Sequence, residues 1–241
     1  MRKKKLCKKS GCSAIKQEFL MVSRNQFIQF NKRILSAALL LVLACALAIP
    51  SQVFARQSAS VVPSLSSFIE SIKDGSPNTL RGIYVEDLIA SPIVRQPYGK
   101  PGFVSASGSE VTQFSSASEA GNLGLLAHNI LAGAAFSQLK PGNIILLIYG
   151  NGRTQGFVVE DIQQYQALDP LNPYSDFKDL AQPGTLSAQE LFNKVYRGKY
   201  HLTLQTCIEY DGNLSWGRLF VIAKPISGEA MEYWKLNYRE N

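Results

Sequence analysis

Beyond residue 55 the chain holds one cysteine, Cys207, and two histidines, His128 and His201. A single cysteine excludes an intramolecular disulfide in that region. Such a thiol is either an inert buried filler or a working nucleophile. Basic surplus is equally scarce there. The whole chain carries +7, but residues 1–33 hold ten Lys or Arg against one acid, Glu18, so they carry +9 and the remainder carries −2. A nucleic-acid binder puts its positive charge on the folded domain, so no nucleic-acid partner is expected. Internal repeats are also absent.

What is present at the start is an export signature. Residues 1–33 form a basic leader, and residues 34–49, ILSAALLLVLACALAI, run sixteen positions without a charge. Lys32 and Arg33 precede that run, and Pro50 ends it. The small residues of VFA at 53–55 suit a signal-peptidase cut after Ala55. Carried to Ala55, the span reaches about 20 residues, enough to cross a bilayer uncleaved. Either way residues 34–55 export the remainder of the chain and keep the basic side in the cytoplasm. A lipobox at Cys45 fits poorly, because Leu43 stands two positions before it. Met21 opens a more ordinary basic region. A start at Met21, which would omit Cys7 and Cys12, therefore stands beside a cytoplasmic tail as a reading of the leader.

Residues 56–79 are rich in Ser and read as a linker with one short helix at 65–72. Residues 80–241 read as the folded domain. NIILLIYG is an apolar run of strand length, GNGR a hairpin turn, and TQGFVVEDIQQYQAL the answering strand. Residues 169–185 hold Pro170, Pro173 and Pro183 and no periodicity. A long irregular connection of that kind is often functional. SAQELFNKVY opens with Ser187 and Glu190 at capping-box spacing and reads as a helix. YHLTLQTC alternates as a strand, GRLFVIAKPI reads as the next one, and the tail from 227 to 241 reads as a short helix. Many short strands with few helices point to a closed or nearly closed β-barrel.

A thiol nucleophile needs a base or a cationic partner. His201 lies six residues before Cys207, about 20 Å along a strand at roughly 3.3 Å per residue, too far to touch it. His128 has no such constraint. Arg218 comes after Cys207 across the turn-rich IEYDGNLSWG. If Cys207 ends one strand and Arg218 begins the next, a guanidinium faces the thiol and can stabilise an oxyanion.

The order His128, TLQTC at 203–207, then Arg218 in GRLFVIA resembles the sortase family. TLQTC fits that family's T-L-x-T-C signature at every position, LLAHN fits its histidine segment, and LAGAAFSQLKPGNIILL resembles the stretch after that histidine. The resemblance covers roughly residues 80–225. It implies a mainly β fold, an eight-stranded β-barrel with a few short helices. It also implies a cysteine transpeptidase that cleaves an LPXTG-like sorting signal through a thioacyl-enzyme. Carried over by position, Cys207 is the nucleophile, His128 the general acid/base, Arg218 the oxyanion and substrate clamp, and Thr206 a substrate-binding residue. The implied partners are exported proteins with a C-terminal sorting motif and an amine acceptor of the cell wall or of a pilin. The implied place is the outer face of the membrane. No cofactor is implied, although some sortases bind calcium; here Asp169, Asp176 and Asp179 would be the candidates. The residue after the histidine is Asn129, where many sortases carry Arg or another polar residue. Two other readings stay open: a thiol peptidase that only hydrolyses such signals, and a non-catalytic secreted β-barrel binding module. Papain-like enzymes place Cys before His, and L,D-transpeptidases carry Arg two residues after Cys, where Glu209 stands here.

Overall fold

A computed structural model describes residues 62–229. The leader, the hydrophobic run with its cleavage or anchoring, and residues 230–241 of the tail lie outside the described residues. Among the described residues no helix is long and apolar enough to cross a membrane.

Among the described residues ten strands and three α-helices run in order: α1 (Leu65–Ile72), β1 (Leu80–Val85), β2 (Ile89–Arg95), β3 (Val111–Gln113), α2 (Ser115–Glu119), β4 (Leu123–Leu126), a 3-10 helix (Ala132–Gln138), β5 (Ile144–Tyr149), β6 (Thr154–Ala167), β7 (Phe177–Asp179), β8 (Thr185–Leu186), α3 (Ala188–Tyr196), β9 (Leu202–Tyr210) and β10 (Asn213–Pro225). Hydrogen bonding runs β10-β9-β4-β3-β2-β1-β5-β6, and β10 also pairs with β6. That last pairing closes eight strands into a barrel, as expected, and leaves no free edge in the ring. β7 and β8 hang from β6 as a short extra hairpin. Two contacts in the ring are parallel, β2 with β3 and β4 with β9.

Alternation builds the two sides of the wall. On β9, Leu202 and Leu204 point into the barrel, where they meet Leu125, Phe136, Ile145, Leu147, Phe157 and Val221. The opposite parity faces out. There Tyr165 of β6 and Phe220 of β10 pack under Leu191, Val195 and Tyr196 of α3. Burying one such large apolar side chain contributes about 1.5–3 kcal/mol. The helix read from SAQELFNKVY is thus a lid on the outer face. Its N-terminus carries the expected capping box, with Glu190 N–H donating to Ser187 Oγ and Ser187 N–H donating to the Glu190 carboxylate.

The helix read at 65–72 is also present. Ser64 caps it, and Phe68 is buried against Tyr84, Leu146 and Ile148. The segment before β1 is therefore packed on the barrel from residue 65 on.

Candidate active site

The site arises from register. β4 pairs with β9 in parallel, with Leu126 beside Gln205. Ala127 N–H donates to Gln205 O at 3.2 Å and extends the ladder past the end of β4. Two steps on from Leu126 and Gln205, on the same outer face, stand His128 and Cys207. Across the other edge of β9, Arg218 is the direct antiparallel partner of Cys207. Three neighbouring segments thus present His128, Cys207 and Arg218 in one row. For the antiparallel pair Cys207 and Arg218 the Cβ atoms are about 4.5–5.5 Å apart.

The sequence pattern puts Cys207 at the end of a strand and Arg218 at the start of the next. Both are interior instead. β9 continues through Ile208, Glu209 and Tyr210, and the turn is Asp211–Gly212, with φ of 50° and 75°. An Asp-Gly pair with both φ positive is the tight two-residue hairpin turn. The signal lies in the DG, four residues beyond the thiol.

All four residues singled out line one cleft of about 350 Å³. Its walls are Leu191, Phe192, Val195 and Tyr196 of α3, Asn172 and Pro173 of the β6–β7 connection, and Gly102 and Val104 before β3. The long irregular segment read as functional therefore supplies one wall. Cys207 is a free, half-buried thiol. The imidazole of His128 is half-buried and makes no hydrogen bond among the described residues, to Cys207 or to any other group. Arg218 Nη1 donates to Ser215 O and Gly217 O, both at 2.8 Å, and Nη2 reaches Pro170 O at 3.5 Å. None of the four ion pairs among the described residues includes Arg218. Its charge is held in place by carbonyls and is not neutralised.

Thr206 differs from the other three. Its side chain is on the barrel side of β9, buried, and its hydroxyl donates to Ala127 O at 2.9 Å. Gly133 packs against the same spot. A Cβ there would meet the Ala127 and His128 carbonyls at 2.7 Å, as well as the Thr206 hydroxyl. Only glycine lets the chain after His128 fold back this closely. Gln205 shares the outer face with Cys207 and accepts a 2.7 Å hydrogen bond from the Tyr196 hydroxyl. Burial pushes the Tyr196 phenol well above its ordinary range, so it stays a neutral donor. Sequence reasoning missed Gln205, although period-two alternation puts it beside the thiol.

His201 is held apart from this cleft. It is buried, its ring nitrogens lie 2.7 Å from Lys199 O and 2.9 Å from Val195 O, and its amide donates to Asn122 Oδ1. Asp169, Asp176 and Asp179 are the acids considered for calcium. Asp179 accepts from the amides of Ala181 and Gln182 and from Lys194, and among the described residues no three such ligands come together. The Ala181 amide, with lesser help from Gln182 and Lys194, holds the Asp179 carboxyl below its usual range.

No family model and no curated protein matches the chain. Solved structures similar to it include sortases, the family that the motifs resemble. Sortase C1 from Streptococcus agalactiae is 17% identical over 61% of this chain and 67% of its own, with a TM-score of 0.39. Sortase C-1 from Actinomyces oris is 16% identical over 70% and 83%, with a TM-score of 0.42. Sortase A of Listeria monocytogenes is 12% identical over 67% and 97%, with a TM-score of 0.39. At these values the likenesses add nothing to the reading of the side chains, which rests on the geometry above.

Proposed function

We propose that the protein is a sortase-type cysteine transpeptidase acting outside the cell on a peptide of the LPXTG type. The observation that supports this most is the row His128, Cys207, Arg218 across three adjacent segments at one cleft. A thiol flanked by an unneutralised guanidinium and by an imidazole that has no hydrogen-bond partner among the described residues has the parts that acyl transfer needs.

The Cys207 thiolate attacks the carbonyl carbon of the scissile Thr–Gly bond. Arg218, fixed by Ser215 O and Gly217 O, faces the developing oxyanion. When the C–N bond breaks, protonated His128 gives its proton to the leaving amine. A thioester on Sγ remains. An incoming amine then attacks the same carbonyl and gives its proton to neutral His128, and the C–S bond breaks to release the Cys207 thiolate. The apolar wall of α3 takes the aliphatic part of the peptide. The basic leader and residues 34–55 would place this domain on the outer side of the membrane, where exported proteins with sorting motifs and cell-wall or pilin amines are found.

The test is a competition. The full chain is incubated with an LPXTG-type peptide, with and without a primary amine at saturating concentration. Joining of the acyl fragment to the amine is expected. Hydrolysis alone at saturating amine would reduce the protein to a thiol peptidase.

A further inference from the structure

Past the Asp211–Gly212 turn, β10 does not pair regularly with β9. The register breaks between Asn213 and Gly217, leaving residues 214–216 as a bulge. Carbonyls in and beside that break are used at the cleft. Ser215 O and Gly217 O hold the Arg218 guanidinium. Leu214 O accepts a 3.0 Å hydrogen bond from Asn129 Nδ2, 85 residues away and next to His128. The bulge is itself braced, since Trp216 lies against Tyr210 with ring centroids 4.9 Å apart. At Gly217 a Cβ would collide with Tyr165 O at 2.6 Å, so the bulge closes only on glycine.

From this we infer that Asn129 is a positioning residue: its amide ties the His128 segment to the β10 bulge that also holds Arg218. The inference rests on the proposed roles of His128 and Arg218. On its other side the His128 segment is held at its carbonyls, by Leu131 and Gly133 N–H donating to His128 O at 2.9 and 3.0 Å and by the Thr206 hydroxyl donating to Ala127 O. The imidazole has no partner among the described residues that sets its orientation. The Asn129 amide is the side-chain link between the residue pair 128–129 and the strand carrying Arg218. Without it, the backbone at 128 can swing while the fold stays whole.

The test uses the full chain, with peptide cleavage and histidine NMR as separate readouts. Asn129→Ala is expected to lower kcat on an LPXTG-type peptide about tenfold, less than the 10²-fold that a 1 Å misplacement can cost. KM should stay within twofold and the melting temperature should not change. In a His128→Ala background the same change should cost nothing. Because the chain has two histidines, ring-selective labelling resolves both. The His128 ring resonances should move in Asn129→Ala while those of His201 stay fixed. An equal loss with and without His128, or an unmoved His128 resonance, overturns the inference. If the wild-type chain cleaves no such peptide, the peptide reading fails, and the NMR arm still decides the positioning claim.

Discussion

The two histidines sit at opposite ends of the same parallel ladder, β4 against β9, and their surroundings are opposite. At the start of the ladder, His201 has both ring nitrogens at carbonyls, its amide on Asn122, and Asn122 in turn donating to Tyr196 O. These polar groups are engaged in holding α3 to the barrel. At the far end, His128 has a ring with no partner among the described residues, facing a cleft with a free thiol and an arginine without a carboxylate. Buried polar groups that are fully paired maintain a fold. Polar groups left half-buried and open on a cleft are available for chemistry. The same residue type on the same ladder stands in two opposite settings, one paired and one open on the cleft.

That contrast can be broken in graded steps. The largest effect is expected from Cys207→Ala, which should abolish peptide cleavage with the fold intact. Circular dichroism and a turnover assay check both halves. Next come His128→Ala and Arg218→Ala, each expected to lower kcat/KM by about 10²–10³-fold, the range for losing a general acid/base or an oxyanion donor. Neither should shift the melting temperature appreciably. His201→Ala should do the reverse. It removes a buried ring whose nitrogens lie at Val195 O and Lys199 O, and should cost about 2 kcal/mol of stability while turnover per folded molecule is retained. Denaturant titration beside the activity assay tests this. Loss of catalysis at constant stability in His201→Ala would erase the contrast.

The smallest effect concerns neither histidine. Asp74 joins α1 to the barrel through Arg81, whose hydrogen bonds, with that of the Ser76 amide, hold its carboxyl at about 2. The folded value is below the ordinary one, so the contribution is complete above the normal Asp range and fades as pH falls toward 2. Asp74→Asn should flatten a small part of the acid limb of the stability curve and leave the cleft untouched. The site is exposed, so the effect is slight.

Much of this is legible in the sequence. Alternation in YHLTLQTC marks β9 and the outward thiol, GNGR marks the β5–β6 hairpin, and Ser187 with Glu190 marks the start of α3. The family motif implies the closed barrel. The adjacency of His128 and Cys207 is not legible from local pattern. It depends on a parallel pairing across 79 residues, and no turn fixes the register of such a pair. Nor is the α3 wall, because an amphipathic helix states which face is apolar and not what that face covers. Cys207 reads as a strand end because IEYDGNLSWG, which follows it, is rich in turn residues. Glu209 and Tyr210 are polar because that end of the hairpin is exposed, not because pairing stops. Thr206 reads as lining the site; it does line the cleft, and its hydroxyl donates to Ala127 O, a contact that local pattern does not show.

The proposed chemistry centres on Cys207 taking the acyl group with His128 and Arg218 beside it. The most direct measurement is peptide-resolved mass spectrometry of the full chain, acid-quenched during reaction with an LPXTG-type peptide. An added acyl fragment, cut after Thr, is predicted on the peptide containing Cys207, and none in Cys207→Ala. An adduct on Cys7, Cys12 or Cys45, or cleavage that persists in Cys207→Ala, would contradict it.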